Sequence, residues 1–107
     1  MDSLKTDILH SIKETLHKVL PSGGQAILYG SQARGDALAG SDWDILILLD
    51  KPKIEKEDYD EISYPLVELG WSLNEYISPI LYTLKDWQKY HFTPFFHNVK
   101  DEGIQLV

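Results

Sequence analysis

Two aspartates separated by one residue stand at the start of an apolar segment, and carboxylates in that position can hold a cation. Asp42 and Asp44 flank Trp43 and precede the branched apolar residues 45–49. Successive side chains of a strand point to opposite faces, so the two carboxylates are expected to project from the same side. Such like charges repel each other, and burial penalises each of them, unless a cation lies between them. The pair therefore predicts a divalent metal site, with water-exposed acids at a strand start as the alternative.

A glycine–serine turn precedes the acid pair and closes another short apolar segment. Gly30 and Ser31 follow residues 25–29. The backbone N–H groups of such a turn can bind phosphate oxygens, and Ser31 could also cap a short helix. Arg34, the single arginine of the chain, could neutralise phosphate or form an ion pair with Asp36. The turn and the acid pair together favour a site for a metal ion and a nucleoside triphosphate.

Length and composition favour one folded domain over residues 1–107. The apolar fraction is 43%, and the absence of cysteine excludes a disulfide framework and a thiolate metal site. The formal net charge of −7 argues against binding to a nucleic-acid backbone, which depends on basic patches. No segment approaches a membrane span, and the first residues do not resemble a signal peptide, so a cytoplasmic protein is expected.

The apolar patterning predicts an α+β (α/β) fold, a small mixed β-sheet with helices packed against it. Strands are expected at 25–29, 43–49 and 73–82, the last at an edge or bulged because it contains Pro79. Helices are expected at 3–20, 31–35, 54–69 and 84–90, and from Pro94 to Gly103.

Three details of the helices are also predicted. The first helix should be capped by Ser3 or Asp2 and should bury Leu4, Ile8, Ile12, Leu16 and Val19. Pro65 predicts a kink or a split near Tyr64 in the helix at 54–69. Gly70 is expected to end that helix.

The run from Gly30 to Asp44 reads GSQARGDALAGSDWD and resembles the GSxxRG…SDxD signature of minimal nucleotidyltransferases, in the DNA polymerase β-like superfamily. The matching positions are Gly30, Ser31, Arg34, Gly35, Ser41, Asp42 and Asp44. The resemblance implies a polymerase β-like fold and transfer of a nucleoside monophosphate, AMP from ATP in the first instance, to a hydroxyl. It also implies that Asp42 and Asp44 hold Mg²⁺, as two ions during turnover. Gly30, Ser31 and Arg34 would bind the phosphates of ATP or another nucleoside triphosphate.

A third carboxylate, often the general base in this family, usually precedes a segment like residues 77–79. Tyr76 stands at that place here, and Glu75 lies one residue earlier. A step of one residue puts a side chain on the opposite face of a sheet unless a bulge corrects it. Glu75, brought round by a bulge, is therefore the candidate third catalytic residue beside Asp42 and Asp44.

The resemblance also suggests a partner. Small members of the family are often paired with a helical HEPN-type toxin, which they neutralise by adding AMP to it. A sequence of 107 residues is too short to include the extra domain that holds an acceptor in larger relatives, so the acceptor is expected to be a protein or to sit at a homo-oligomer interface. The alternative is a catalytically degenerate module that binds a nucleotide or a partner, because Tyr76 replaces the third acid. An unrelated small α/β ligand-binding protein would require the whole motif to be coincidence.

Overall fold

The computed structural model describes residues 3–107, which form a four-stranded mixed sheet with helices on both faces. The helices are α1 Ser3–Val19, α2 Ser31–Arg34, α3 Lys56–Asp58, α4 Tyr64–Leu73, α5 Leu84–Lys89 and α6 Pro94–Glu102, with a π-helical turn, Tyr59–Ser63, between α3 and α4. The strands are β1 Gln25–Tyr29, β2 Trp43–Leu49, β3 Ile77–Thr83 and β4 Ile104–Gln105. Within residues 3–107, none of the helices has the length and apolar character needed to cross a membrane.

The interior strand β2 explains the continuous apolar run in the sequence. The strand order is β3-β2-β1-β4, with β2 antiparallel to β1 and parallel to β3. The odd-numbered residues from Ile45 to Leu49 pack against α1 and α4. Leu46 and Leu48 pack on the other face, against Trp87 of α5. Because both faces of β2 are covered, neither face can carry polar side chains along the length of the strand.

The predicted first helix is confirmed as α1, with a difference at its start. Ile8, Ile12 and Leu16 are buried, but Leu4 is 69% exposed, so the buried stripe begins one turn later than predicted. A cap at Asp2 lies outside the described residues. Ser3 is the first residue of α1 as described.

The predicted split around Pro65 is confirmed. The chain leaves α3 through the π-helical turn and enters α4 with Pro65 in its first turn. Ser63 and Tyr64 already have right-handed helical φ and ψ, so the helical backbone continues through this junction, and the π-helical turn lies where the missing N–H of Pro65 interrupts regular α-helical bonding. The single helix expected at 54–69 is therefore three connected segments.

The predicted helix end at Gly70 is wrong. Helix α4 continues to Leu73 and ends at Asn74, whose φ of 57° is left-handed. Gly70 is instead needed for close packing, because a Cβ there would lie 2.7 Å from the carbonyl oxygen of Glu75. The longer helix also moves the start of the third strand from residue 73 to Ile77.

The last predicted elements are confirmed, and one short strand was missed. Thr83 and Thr93 cap α5 and α6 by accepting hydrogen bonds from backbone N–H groups at 3.0 and 3.2 Å. Strand β3 is an edge strand, which accommodates Pro79 as predicted. Beyond Gly103, β4 pairs with β1. Its two exposed residues carry no alternation that would predict a strand.

An ion pair fixes the segment between β2 and α3. Asp58 Oδ2 accepts hydrogen bonds from Lys51 Nζ at 2.8 Å and from the Glu55 backbone N–H at 2.7 Å. Burial acts to raise the pKa of Asp58, but Lys51 and the Glu55 amide outweigh it and hold the pKa below its ordinary value. The charged form of Asp58 therefore stabilises the folded chain.

We expect Asp58→Asn to lower the free energy of unfolding by about 1–2 kcal/mol at pH 7, because the charged acceptor is lost. A lowered folded-state pKa stabilises above the unfolded pKa, and this contribution is lost as pH falls through the folded pKa. The difference between wild type and variant should therefore shrink below about pH 4. Urea unfolding at pH 7 and pH 3 measures this difference in the free energy of unfolding, and a substitution of an exposed acid, Asp60→Asn, is the control. Equal stability of wild type and Asp58→Asn at pH 7 would contradict the assignment.

Candidate active site

The buried indole of Trp43 decides which way the neighbouring aspartates point. Trp43 is fully buried on the face that packs against α1 and α4. Asp42 immediately precedes it and Asp44 follows it, so alternation directs both carboxylates to the opposite face, towards α5 and α6. The structure therefore brings the two predicted metal ligands together on one face at the start of β2.

Ser78 and Tyr29 flank the acid pair on the two neighbouring strands. In the register of the sheet, Asp44 lies opposite Ser78 of β3 and Tyr29 of β1. The Ser78 hydroxyl donates a hydrogen bond of 3.1 Å to Asp42 Oδ2. Sequence reasoning did not single out Ser78, although a parallel register between β2 and β3 would have placed it on this face. Its hydroxyl restricts the orientation of the Asp42 carboxylate.

Gly30 lies directly against the Asp44 carboxylate. A Cβ at Gly30 would overlap Asp44 Oδ2, and its φ of 76° is a conformation that L side chains rarely adopt. The glycine–serine turn and the acid pair are therefore adjacent in space, as their spacing predicted. The absent side chain of Gly30 makes room for the carboxylate itself.

The predicted short helix α2 begins at Ser31. The backbone N–H groups of Ala33 and Arg34 donate to the Gly30 carbonyl, both at 3.0 Å. The N–H groups of Ser31 and Gln32 precede this first hydrogen-bonded turn, so they are the donors that a helix start leaves for a cap or a ligand. This is the arrangement that the phosphate-binding prediction requires.

Arg34 forms an ion pair with Asp36, one of the two roles that the sequence left open, and it also reaches the last helix. Its Nε lies 3.2 Å from Asp36 Oδ2 and a terminal nitrogen lies 3.1 Å from Glu102 Oε1 of α6. The ion pair between Arg34 and Glu102 was not predicted, because Glu102 lies far from Arg34 in the sequence. Arg34 therefore ties the turn to the C-terminal helix.

The electrostatics of the site single out Asp44. Burial, and then the neighbouring Asp42, raise the pKa of Asp44, while the charge of Arg34 offsets part of this. On the adjacent strand, burial raises the pKa of Tyr29 to about 12, with smaller contributions from Asp44 and Tyr82. Burial is the largest cause of both pKa shifts, and neighbouring negative charge adds to each. A bound cation would offset that negative charge.

Glu75 lies with Trp43 rather than with the two aspartates. Its Oε1 accepts a hydrogen bond of 3.1 Å from the Trp43 indole N–H, on the core side of the sheet. Glu75 precedes Ile77, which also faces that core, whereas Tyr76 is 69% exposed. The structure thus shows no bulge that carries Glu75 to the side of Asp42.

The carboxylates of Asp42 and Asp44 supply some of the ligands that a hard divalent cation requires. Asp42 and Asp44 supply carboxylate oxygens, which Mg²⁺ prefers, and burial followed by repulsion from Asp42 raises the pKa of Asp44. Among residues 3–107, no three His, Asp or Glu side chains are grouped closely enough to hold a metal by themselves. Further ligands would have to come from water and from a substrate, which is usual for Mg²⁺ at phosphate-binding sites.

The sequence profile of the nucleotidyltransferase domain family matches residues 9–90, most of the chain. The protein belongs to this family, and its class is that of a nucleotidyltransferase. The matched range contains the turn, the acid pair and strands β1 to β3. The predicted resemblance is therefore confirmed.

Solved structures confirm the fold. A crystal structure of a toxin–antitoxin with AMP-PNP matches with a TM-score of 0.63 and 20% sequence identity, covering 92% of this chain and 72% of that chain. A crystal structure of a mutant of the toxin–antitoxin MntA–HpeT matches with a TM-score of 0.62 and 18% identity, with the same coverage. In that mutant two aspartates, two positions apart, are replaced by glutamate. A search of curated proteins found no significant match.

The raised pKa of Asp44 predicts that the site costs stability. Between the ordinary pKa and the raised one, the folded state binds more protons than the unfolded state, so stability falls as pH rises through this window. We expect Asp44→Asn to raise Tm at pH 7, without divalent cations, by about 2–4 °C, on the order of 0.5 kcal/mol after allowance for solvent screening. The gain should vanish below about pH 4.

Thermal denaturation in a chelating buffer at pH 7 and pH 3.5 would measure this effect. Asp101→Asn removes an exposed charge from α6 and serves as the matched control for net charge. If Asp44→Asn were less stable than wild type at pH 7, the charged Asp44 carboxylate would stabilise the folded protein, and the prediction would be wrong.

Proposed function

We propose that the protein is a magnesium-dependent nucleotidyltransferase that moves AMP from ATP to a hydroxyl on a partner protein. The partner would be a helical HEPN-type toxin, and the chain would act as its antitoxin in the cytoplasm. One observation carries the proposal: the Asp42 and Asp44 carboxylates project from one face of the sheet, and that of Asp44 lies directly against Gly30 of the glycine–serine turn. The family of the chain supports the reaction class.

Each residue of the site has a role in this proposal. Asp42 and Asp44 hold Mg²⁺, which when bound neutralises phosphate charge and aligns the attacking and leaving oxygens. The turn at Gly30 and Ser31 offers N–H groups to the terminal phosphates. Arg34 adds positive charge beside them while it tethers the turn to Glu102. Two ions during turnover would suit a pair of carboxylates and a triphosphate.

The transfer itself is a substitution at phosphorus. The acceptor hydroxyl oxygen bonds to the α-phosphorus of ATP, the bond from that phosphorus to the bridging oxygen breaks, and pyrophosphate leaves. The hydroxyl proton passes to solvent. Such a reaction requires positioning and charge neutralisation more than covalent help from the protein, which suits a site with two carboxylates and a phosphate-binding turn.

The structural neighbours support the partner and the nucleotide. Both are toxin–antitoxin structures, and one of them contains AMP-PNP. The mutated aspartates of the other have the spacing of Asp42 and Asp44. We carry the pairing with a toxin to this chain as part of the proposal.

Nucleotide binding can be tested by thermal stabilisation. With ATP and Mg²⁺ at about 100 times Kd, a ligand that binds only the folded state adds about 2.7 kcal/mol, which raises Tm by about 10–20 °C in a chain of this size. The combined variant Asp42→Ala, Asp44→Ala should lose this shift. Asp60→Ala, Asp101→Ala removes the same charge elsewhere and should keep it. An unchanged shift in the first variant would contradict the metal site.

An assay of AMP transfer distinguishes an active nucleotidyltransferase from a module that only binds a nucleotide or a partner. With ATP labelled in the α-phosphate, the wild type should label a copurified partner, and the Asp42→Ala, Asp44→Ala variant should not. If the wild type binds ATP with Mg²⁺ but labels no acceptor, the alternative function holds, a degenerate module that binds nucleotide or partner. The exposed Tyr76 at the place of the third acid favours that alternative.

The variant Glu75→Gln tests the predicted third catalytic acid. Glutamine keeps an oxygen that can accept the hydrogen bond of the Trp43 indole, but it cannot take up a proton. Because Glu75 lies with Trp43, we expect the transfer rate to change less than about threefold, whereas loss of a general base costs roughly 10²-fold or more. A hundredfold loss at unchanged Tm would assign Glu75 to catalysis.

A further inference from the structure

The negative charge of the protein is concentrated in one segment. Residues 57–84 contain six acidic side chains and no lysine, arginine or histidine, while the whole chain has a formal net charge of −7. This segment includes helix α4 and leads to the start of β3, beside the candidate active site. Asp58 is neutralised by its ion pair with Lys51, so the other five acids of the segment carry its unpaired negative charge.

The outer side of α4 combines one acid of this segment, Glu68, with exposed aromatic rings. Tyr64, Glu68 and Trp71 are spaced by four and three residues and share one helix face. Trp71 is 63% exposed and makes an edge-on contact with the Tyr64 ring, with centroids 6.0 Å apart. Large exposed aromatics that contact each other are unusual on a surface without a partner.

The same surface continues to the residues that precede β3, on the side of the sheet opposite to Asp42 and Asp44. Trp71, Glu75 and Tyr76 line a shallow pocket of about 190 Å³ together with Gly70 and Asn74. Tyr76 is also bonded to the strand of the acid pair, because its carbonyl accepts a 2.7 Å hydrogen bond from the Trp43 N–H. We call the surface formed by Tyr64, Glu68, Trp71, Glu75 and Tyr76 the α4 face.

We propose that the α4 face binds an arginine- or lysine-bearing segment of the partner protein. Charge complementarity selects this occupant: a guanidinium can stack on Trp71 or Tyr64 while Glu68 and Glu75 neutralise it. Nucleic acid and anionic membranes would be repelled by the same negative charge. The identification of the bound protein as the acceptor rests on the proposed function, but binding of the basic segment does not.

A tryptophan signal tests this proposal directly. Of the three tryptophans, Trp43 and Trp87 are buried and only Trp71 is exposed, so a change in the exposed component of fluorescence reports the α4 face. The probe is a capped hexa-arginine peptide, compared with hexalysine and an uncharged hexapeptide, without ATP or Mg²⁺. Arginine peptide should change the emission and bind most tightly, and the uncharged peptide should not bind. In Trp71→Phe the change in emission should be absent.

Matched charge variants separate a defined site from general attraction. Glu68→Lys should weaken binding of hexa-arginine at least tenfold, as measured by calorimetry. Asp101→Lys makes the same charge change on α6, at the other face of the sheet, and should weaken binding less than threefold. Exposed Phe92→Ala controls for loss of an aromatic ring elsewhere and should have no effect.

Three results would overturn the proposal. Equal losses in Glu68→Lys and Asp101→Lys would mean attraction to net charge alone. Absence of any change in Trp71 emission would place the peptide elsewhere. A wild type that self-associates, with Trp71→Ala restoring a monomer in sedimentation, would assign the α4 face to a second copy of the chain. Because the binding assay contains no nucleotide, its failure and the failure of AMP transfer are distinguishable.

Discussion

The burial of Trp43 is the constraint on which the site depends. An indole that must lie in the core between two aspartates forces both carboxylates to the opposite face, whatever their repulsion costs. Its indole N–H needs a partner in the interior, and Glu75 supplies it at 3.1 Å. The packing of Trp43 thus orients the carboxylates of Asp42 and Asp44. It also engages Glu75, the candidate third acid, in a hydrogen bond on the other side of the sheet.

The site holds the Asp44 carboxylate in a place where its charged form does not stabilise the folded protein. Gly30 allows the turn to approach Asp44 so closely that a side chain would not fit. Ser78 holds Asp42, and Arg34 compensates Asp44 only in part, so the pKa of Asp44 stays raised. Charge maintained against its electrostatic cost is characteristic of functional sites. In the proposed function, a bound cation and the polyphosphate of the substrate would relieve this cost.

The sequence was sufficient for features that depend on local pattern. The buried strand at 43–49 and the break around Pro65 followed from apolar runs and from the geometry of proline. The sequence was not sufficient for features that depend on contacts between residues far apart in the chain. Gly70 has the appearance of a helix stop, yet it is small because Glu75 packs on it, and nothing near Arg34 in the sequence indicates its bond to Glu102.

The same distant contacts explain why Glu75 does not join the aspartates. Its backbone N–H donates to the Gly70 carbonyl at 2.9 Å, and its own carbonyl oxygen lies 2.7 Å from the position that a Cβ of Gly70 would take. The next residue, Tyr76, is bonded to Trp43 at 2.7 Å. A bulge that turned Glu75 to the other face would have to break these contacts and leave the Trp43 indole unpaired. The contacts of Glu75 with Trp43 and Gly70 therefore keep it apart from the carboxylates of Asp42 and Asp44.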